Sequence, residues 1–257
     1  MTNFEASIAQ AAALLRRARS AVALTGAGLS TPSGIPDFRS PQTGLWAQTD
    51  PLEVASLLTF RYEPERFFAW VRPLATLLRQ ARPNAGHNAL AALEAAGRLQ
   101  AVITQNFDGL HHRAGSQRVL ALHGGLESAT CVRCFARWPG TPVLEAFIET
   151  GALPYCTGCG GLLKPDVTLM GEELPVAVLH AAQQAACECD VMLVAGCSLE
   201  VMPAAGLPLE ALRHGAQLIL VNFRPTYIDE RATVLIEGDV AEVLPQIAQA
   251  AGGGTDV

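Results

Sequence analysis

The 257-residue chain contains no apolar run approaching the roughly 20 residues that a bilayer-crossing helix needs. Basic residues are also scarce: 18 Lys and Arg stand against 24 Asp and Glu, a net charge of −6, so the electrostatic footprint of a nucleic-acid binder is missing. The opening stretch MTNFEASIAQAAALLRRARS lacks the basic start, apolar block and small-residue cleavage site of a secretory signal. It reads instead as an amphipathic helix with Ile8, Ala12, Leu15 and Ala18 on one stripe. Aromatics make up only 6% of the chain, and no internal repeat is present. These absences predict a cytoplasmic protein with neither nucleic acid nor membrane among its partners. They leave the oligomeric state open, and a monomer is compatible with them.

Half of the residues are hydrophobic, enough for one large core or for a large and a small domain. Four segments are short apolar runs rich in Val, Ile and Leu: Ser20 to Gly26, Leu99 to Asn106, Cys189 to Cys197 and Ala216 to Asn222. Such runs suit strands covered on both faces, as in a parallel sheet. Helical spacing fills the intervals, with Leu90 and Leu93 on one face of a segment that Gly97 can end. The alternation predicts an α/β fold, a Rossmann-like doubly wound parallel sheet.

Two regions break that rhythm. Residues 40–78 have no strand signature, concentrate aromatic residues and read as a loop followed by helices. Residues 124–164 hold two Cys-x-x-Cys pairs and little apolar periodicity. Together these insertions predict a smaller helical and zinc-binding domain, while residues 1–39, 79–123 and 165–250 form the large one. Residues 251–257 are expected to be a disordered tail.

Seven cysteines are present, and the odd total with two Cys-x-x-Cys pairs argues for metal binding rather than a disulfide framework. Cys131, Cys134, Cys156 and Cys159 supply four thiolates on two knuckles, a closed tetrahedral shell for one Zn²⁺. A shell without an open position predicts a structural ion.

Glycines mark a second constellation. The run LTGAGLSTPSGIPDFRS carries a strand into Gly26, Ala27 and Gly28, where N–H groups can approach a pyrophosphate at a helix N-terminus. Thr31 occupies the third glycine position of the simple dinucleotide motif, so a plain strand-turn-helix remains an alternative, although Asp37, Phe38 and Arg39 are an odd set for a mere turn. Gln105, Asn106 and Asp108 follow the strand AVIT, at the carboxyl end where open α/β sheets bind ligands. Helix caps and turn formers are the alternative for each taken singly. His123 ends another strand-like run at the same face, whereas His87, His180 and His214 fall in helical patterns and receive no role. His111 and His112 read as helix residues after the loop.

In combination the motifs resemble the sirtuin family of NAD-dependent protein deacylases. They are GAG-x-S-x-x-S-GIPDFR, TQN-x-D-x-LH-x-x-AG, HG before the first Cys-x-x-Cys, the second Cys-x-x-Cys, KPD-x-x-x-x-GE and G-x-SL-x-V-x-P. They occur in order over Ala21 to Val243.

The resemblance implies a cleft holding NAD and an acyl-lysine, with one structural Zn²⁺ per chain and acyl-lysine proteins or peptides as partners. Position by position it implies that Ala27, Asp37, Phe38 and Arg39 line the nicotinamide–ribose end, with Gly26 and Gly28 among the cofactor-binding residues. Gln105 and Asn106 would contact the ribose and an ordered water, and Asp108 the carboxamide. Gly196 and Ser198 would hold phosphate, Asn222 the adenine ribose, and Val240 would flank the adenine. Met170, Gly171, Glu172, Leu174 and Val201 would border a groove where the substrate adds as a strand. His123 and Asn106 would be the catalytic pair. In the implied reaction the acyl oxygen attacks C1′ as nicotinamide leaves. His123 then takes a ribose hydroxyl proton, and the products are free lysine and 2′-O-acyl-ADP-ribose.

Departures from the family pattern bear on acyl preference. Phe107 replaces a small aliphatic residue, Cys197 a Ser or Thr, and Ala121 an acidic residue. Leu169 and Met170 stand where aromatics usually flank the lysine tunnel. The acidic-acyl subclass carries Tyr-x-x-Arg in the first insertion, and Phe68 and Val71 stand there instead, so acetyl or a longer apolar acyl group is expected. Removal of longer or lipoyl-type groups, mono-ADP-ribosyl transfer from the same site, and a non-enzymatic NAD or ADP-ribose sensor are the other readings weighed.

Overall fold

A computed structural model of the protein describes residues 3–37, 44 and 49–253. Helix α1 (Asn3–Arg17) leads into β1 (Ala21–Thr25). After two single 3-10 turns at Ala27–Leu29 and Thr31–Ser33 come α2 (Pro51–Val54), α3 (Leu57–Tyr62), α4 (Pro64–Gln80) and α5 (Ala85–Ala95). The chain continues through β2 (Ala101–Thr104), α6 (Leu110–Arg113), β3 (Val119–Ala121), β4 (Gly124–Cys131), β5 (Arg137–Pro139), α7 (Gly140–Thr150) and β6 (Leu163–Val167). It closes with α8 (Val176–Glu188), β7 (Val191–Ala195), α9 (Leu207–Arg213), β8 (Gln217–Asn222), β9 (Val234–Glu237) and α10 (Val240–Ala250). No helix among the described residues is long and apolar enough to cross a membrane.

The large sheet has the order β3-β2-β1-β7-β8-β9 with every pairing parallel. Counted among its own six strands, that order is 3-2-1-4-5-6, the doubly wound Rossmann arrangement expected from the sequence. Parallel strands need covered faces, and β7 shows how the residues comply. Val191, Leu193 and Ala195 pack with α1, α5 and α10 through Leu15, Leu90 and Leu244. Met192 and Val194 pack on the opposite face with Ala182 and Ala186 of α8 and Ala211 of α9. Such a strand needs apolar residues at consecutive positions, hence the unbroken VMLVA run.

Capping fixes several helix starts. Asn84 accepts from the N–H groups of Gly86 and His87, while the His87 ring returns a contact to the Asn84 N–H, a reciprocal box at the start of α5. Asp239 accepts from the Ala241 N–H at the start of α10.

A smaller antiparallel sheet has the order β5-β4-β6. Its core of Ala129, Cys131, Cys156 and Leu163 abuts the Phe60, Phe67, Phe68 and Phe147 cluster, in which neighbouring rings meet edge-on at 5.1–5.3 Å. Two element ends differ from the expected boundaries: α4 continues to Gln80, and β6 runs across residues 164 and 165. Residues 251–253, assigned to a disordered tail, are instead packed. Ala251 is buried, and the Gly253 N–H donates to the Ala248 carbonyl; residues 254–257 lie outside the described residues.

Leu193 is fully buried at the centre of the sheet, so Leu193→Ala should cost about 2–5 kcal/mol. In urea titration the midpoint should fall with the slope unchanged. A loss below about 1 kcal/mol would contradict this packing.

Candidate active site

The strand order reverses between β1 and β7, and open α/β sheets leave a crevice at that point. There the turn after β1 meets the turn after β7 backbone to backbone. The Gly28 N–H donates to the Gly196 carbonyl at 2.9 Å, and a Cβ on Gly26 or Gly28 would lie 2.9 Å from that same oxygen. Gly196 sits at φ +58°, where a Cβ would come within 2.3 Å of the Leu29 nitrogen. The first two glycines of the motif therefore permit close approach of two chain segments. Gly34, at φ +85°, ends the second 3-10 turn in the left-handed region.

A cavity of about 1050 Å³ opens from this point toward the small sheet. Gly26, Ala27, Gly28, Asp37, Gln105, Asn106, His123, Gly196, Ser198, Asn222 and Val240 line it, as do Met170, Gly171, Glu172, Leu174 and Val201. Sixteen residues singled out in the sequence thus share one space. Phe38 and Arg39 lie outside the described residues.

Asp108 is not among the lining residues. It faces a small adjoining space with Thr104, Asn106 and His111. Its Oδ2 accepts from Ser30 Oγ at 2.7 Å and its Oδ1 from the Leu110 N–H at 2.8 Å. Burial raises its pKa above the ordinary carboxylate range, against these two hydrogen bonds, which favour the charged form.

Asn106 lines both spaces and is held from several directions. Its Nδ2 donates to the Gly26 carbonyl and to Ser30 Oγ, both at 3.0 Å, and its N–H donates to Thr104 Oγ1 at 3.0 Å. Ser30 therefore bridges Asn106 and Asp108. Its role escaped the sequence reading because a serine after a glycine turn looks like any other; only the 76-residue separation of the partners reveals it. Asn222 holds Cys197 through both backbone groups, accepting its N–H at 2.8 Å and donating to its carbonyl at 3.1 Å. Gln105 donates to Cys197 Sγ at 2.8 Å.

His123 does not end a strand as expected; it lies in the two-residue link between β3 and β4. Its Nδ1 stands 2.7 Å from the Gln105 carbonyl. A carbonyl only accepts, so the neutral ring carries its proton on Nδ1 and the lone pair on Nε2. The Thr168 N–H donates to the His123 carbonyl at 2.9 Å, which fixes the backbone as well.

The far part of the cavity is apolar, with Phe67, Phe68, Val71, Leu74, Val143, Phe147 and Leu169 in its wall. Glu172 is anchored away from solvent by Lys164 Nζ at 2.9 Å and the Leu169 N–H at 2.8 Å. The backbone N–H and carbonyl of Met170 already pair with the Ala55 carbonyl and the Leu57 N–H, both at 3.0 Å.

Beneath the site, the His87 and His111 rings meet at 5.1 Å in a T-shaped contact. His111 Nε2 lies 2.9 Å from Thr25 Oγ1, at the end of β1. Burial lowers the pKa of His87 to about 4, helped by the Arg113 charge, and that of His111 to about 3, helped by His87 and His112.

The four cysteines of the two knuckles converge. Cys131 Sγ lies 3.4 Å from Cys159 Sγ, and Cys134 Sγ 3.8 Å from Cys156 Sγ. A Zn–S length of about 2.3 Å implies sulfurs about 3.8 Å apart in a tetrahedron, whereas a disulfide needs about 2.05 Å. The cluster fits a structural zinc ion. The Arg133 and Gly161 N–H groups point at Cys131 and Cys159 Sγ, both at 3.4 Å, as outer supports for a thiolate set.

The Sir2 family model matches residues 26–203, and the chain belongs to that family. It is 42% identical over 234 residues to the "NAD-dependent protein deacetylase 1" of Geobacillus kaustophilus, covering 91% of this chain and 94% of that protein. It is 44% identical over 246 residues to the "NAD-dependent protein deacylase 2" of Archaeoglobus fulgidus, covering 95% and 96%. A solved structure described as "Sir2-p53 peptide-NAD+" superposes with a TM-score of 0.84 at 39% identity, covering 94% of this chain and 97% of that one.

Two outcomes follow from these environments. Cys156→Ser should lower the bound zinc and the melting temperature together; unchanged metal content and melting would remove the knuckles from a structural role. Neutral in the fold but protonated near 6.5 when unfolded, His87 and His111 contribute stability present above pH 6.5. That stability is lost as pH falls toward 4 and 3. Denaturation followed between pH 7 and 4 should show the decline, and His111→Gln should flatten it.

Proposed function

We propose that the protein is an NAD-dependent protein-lysine deacylase that acts in the cytoplasm on acyl-lysine proteins or peptides. Family membership supports this reading, and one observation carries it: sixteen separately identified residues, His123 and Asn106 among them, line a single cavity at the strand-order reversal. The two-lobed division of the chain is part of the proposal. The parallel sheet would carry the NAD side, and residues 40–78 with 124–164 would supply the zinc knuckles and the wall opposite.

Bound NAD supplies an electrophilic ribose carbon with nicotinamide as leaving group. Within the chain, Gly26, Gly28 and Gly196 keep side chains away from where the pyrophosphate would lie, with the turn after β1 continuing as 3-10 rather than α-helix. Asn106, immobilised on Gly26 and Ser30, presents its carbonyl oxygen toward the ribose. By the family resemblance Ala27, Asp37, Phe38 and Arg39 would serve the nicotinamide–ribose end, Ser198 would take phosphate, and Asn222 and Val240 the adenosine. Asp108, with its oxygens held by Ser30 and the Leu110 N–H and linked to Asn106 through Ser30, would meet the nicotinamide carboxamide.

His123 is the general base. Its Nδ1–H is committed to the Gln105 carbonyl, which leaves Nε2 to accept a ribose hydroxyl proton. Cys131, Cys134, Cys156 and Cys159 would hold a zinc ion whose part is structural, tying the two knuckles together. An extended peptide would lie between Gly171–Leu174 and Val201. Met170 contributes its side chain there, because its backbone pairing is already used.

The apolar lobe favours a second reading of acyl preference. The cavity, about 1050 Å³, is at the upper end of ordinary ligand cavities, and Phe67, Phe68, Phe147, Val71 and Leu74 are in its wall. Long apolar acyl groups would fit there beside acetyl.

Incubation with NAD and an acetyl-lysine peptide should release nicotinamide only when peptide is present. Release without deacylation would favour ADP-ribosyl transfer, and no release would favour a sensor. His123→Ala should abolish turnover while melting and zinc content stay unchanged; retained turnover would remove His123 from its role. Val71→Trp should lower kcat/KM for a myristoyl peptide about tenfold or more relative to acetyl. Equal loss on both would place the long chain elsewhere.

A further inference from the structure

Three cysteines lie outside the zinc knuckles, and one of them sits with two other ligand types at a distance from the cavity. Cys187 is the penultimate residue of α8, and α8 packs against α9. On α9, Glu210 and the capping residue His214 are four apart and so share a face. The donor atoms of Cys187, Glu210 and His214 all lie within 4.8 Å of one another. Cys187 and Glu210 are half-buried and His214 is exposed, so the group is reachable from solvent yet partly shielded.

The histidine is already oriented. His214 Nδ1 lies 2.9 Å from the Glu210 main-chain carbonyl, and since a carbonyl only accepts, the ring's proton is on Nδ1 and its lone pair on Nε2. A metal-ligating histidine commonly has this second hydrogen bond, which sets its tautomer and aim. Cys189, two residues on, does not join: it is buried, its thiol donates to the Ala186 carbonyl at 3.3 Å, and burial with the neighbouring Asp190 pushes it up to about 12. Arg213 Nη1 holds Glu210 Oε1 at 2.6 Å, so an incoming cation shares that carboxylate with a guanidinium.

We propose that Cys187, Glu210 and His214 form a second metal site, open at one position, for a borderline divalent cation of the zinc class. One thiolate, one imidazole and one carboxylate match that class rather than Mg²⁺ or Ca²⁺, which take oxygen alone. Bond lengths near 2.0–2.3 Å would draw the donors to roughly 3.3–3.8 Å apart, a closure that side-chain rotation supplies. A solvent-facing fourth position follows from having three ligands, as in sites that exchange a water. The ion would tie the carboxyl end of α8 to that of α9, just before each chain enters the central strands β7 and β8.

Cobalt(II) is the probe, because it ranks below zinc in affinity and leaves a four-thiolate zinc site occupied. Titrated into the zinc-loaded full-length protein, it should bind one further equivalent with a thiolate-to-cobalt absorption band and raise the melting temperature. Cys187→Ser should abolish the band, and His214→Ala should weaken binding at least about tenfold. Both variants should retain the zinc of the knuckles. A band that survives in Cys187→Ser, or no band in the unaltered protein, overturns the proposal.

Discussion

The contact on which the site depends is a backbone one. The turn after β1 and the turn after β7 can touch only because Gly26, Gly28 and Gly196 have no Cβ. At Gly196 the obstruction would be the backbone of Leu29, which cannot rotate aside as a side chain can. This closeness sits where the sheet reverses its winding, so the crossover segments diverge and leave the crevice empty of helix. Every polar group of the site is then placed relative to those turns. Asn106 hangs from the Gly26 carbonyl, and Asn222 clamps Cys197 next to Gly196.

Around that contact most polar groups are paired rather than individually exposed, while the buried His111 Nδ1 and His87 Nε2 have no partner among the described residues. Ser30 serves both Asn106 and Asp108, Thr104 serves the Asn106 backbone, and His111 reaches Thr25 at the end of β1. Buried polar side chains are costly without partners, and most of those partners come from the segments that follow two strands, β1 and β2. The buried Asp108 carboxyl belongs to the same network, behind the cavity rather than in its wall. Around the antiparallel sheet the buried clusters are smaller, and four converging cysteines and edge-on aromatic contacts lie among their aliphatic residues.

Much was legible from local pattern alone. The unbroken apolar runs named four of the six large-sheet strands because a strand buried on both faces is apolar along its length, with polar residues such as Thr25, Thr104 and Asn222 only at the ends. The short β3 was legible as the strand-like run before His123, although it stops at Ala121, whereas β9 escaped because Val234–Glu237 alternates buried and exposed positions. Helix α7 was hidden in a segment that read as irregular between the knuckles. His87 and His111 looked unremarkable in helical spacing, and only their meeting across 24 residues reveals a buried pair.

The sequence by itself determined the parallel α/β class, the four thiolates and the family, because these rest on spacing and residue type along the chain. Tertiary structure alone decided that Asp108 stands behind the cavity and that Met170 has spent its backbone pairing. It also decided that Cys187 meets Glu210 and His214. Each of these depends on which distant segments pack together, and side-chain direction at such a junction is set by packing in three dimensions rather than by neighbours in sequence.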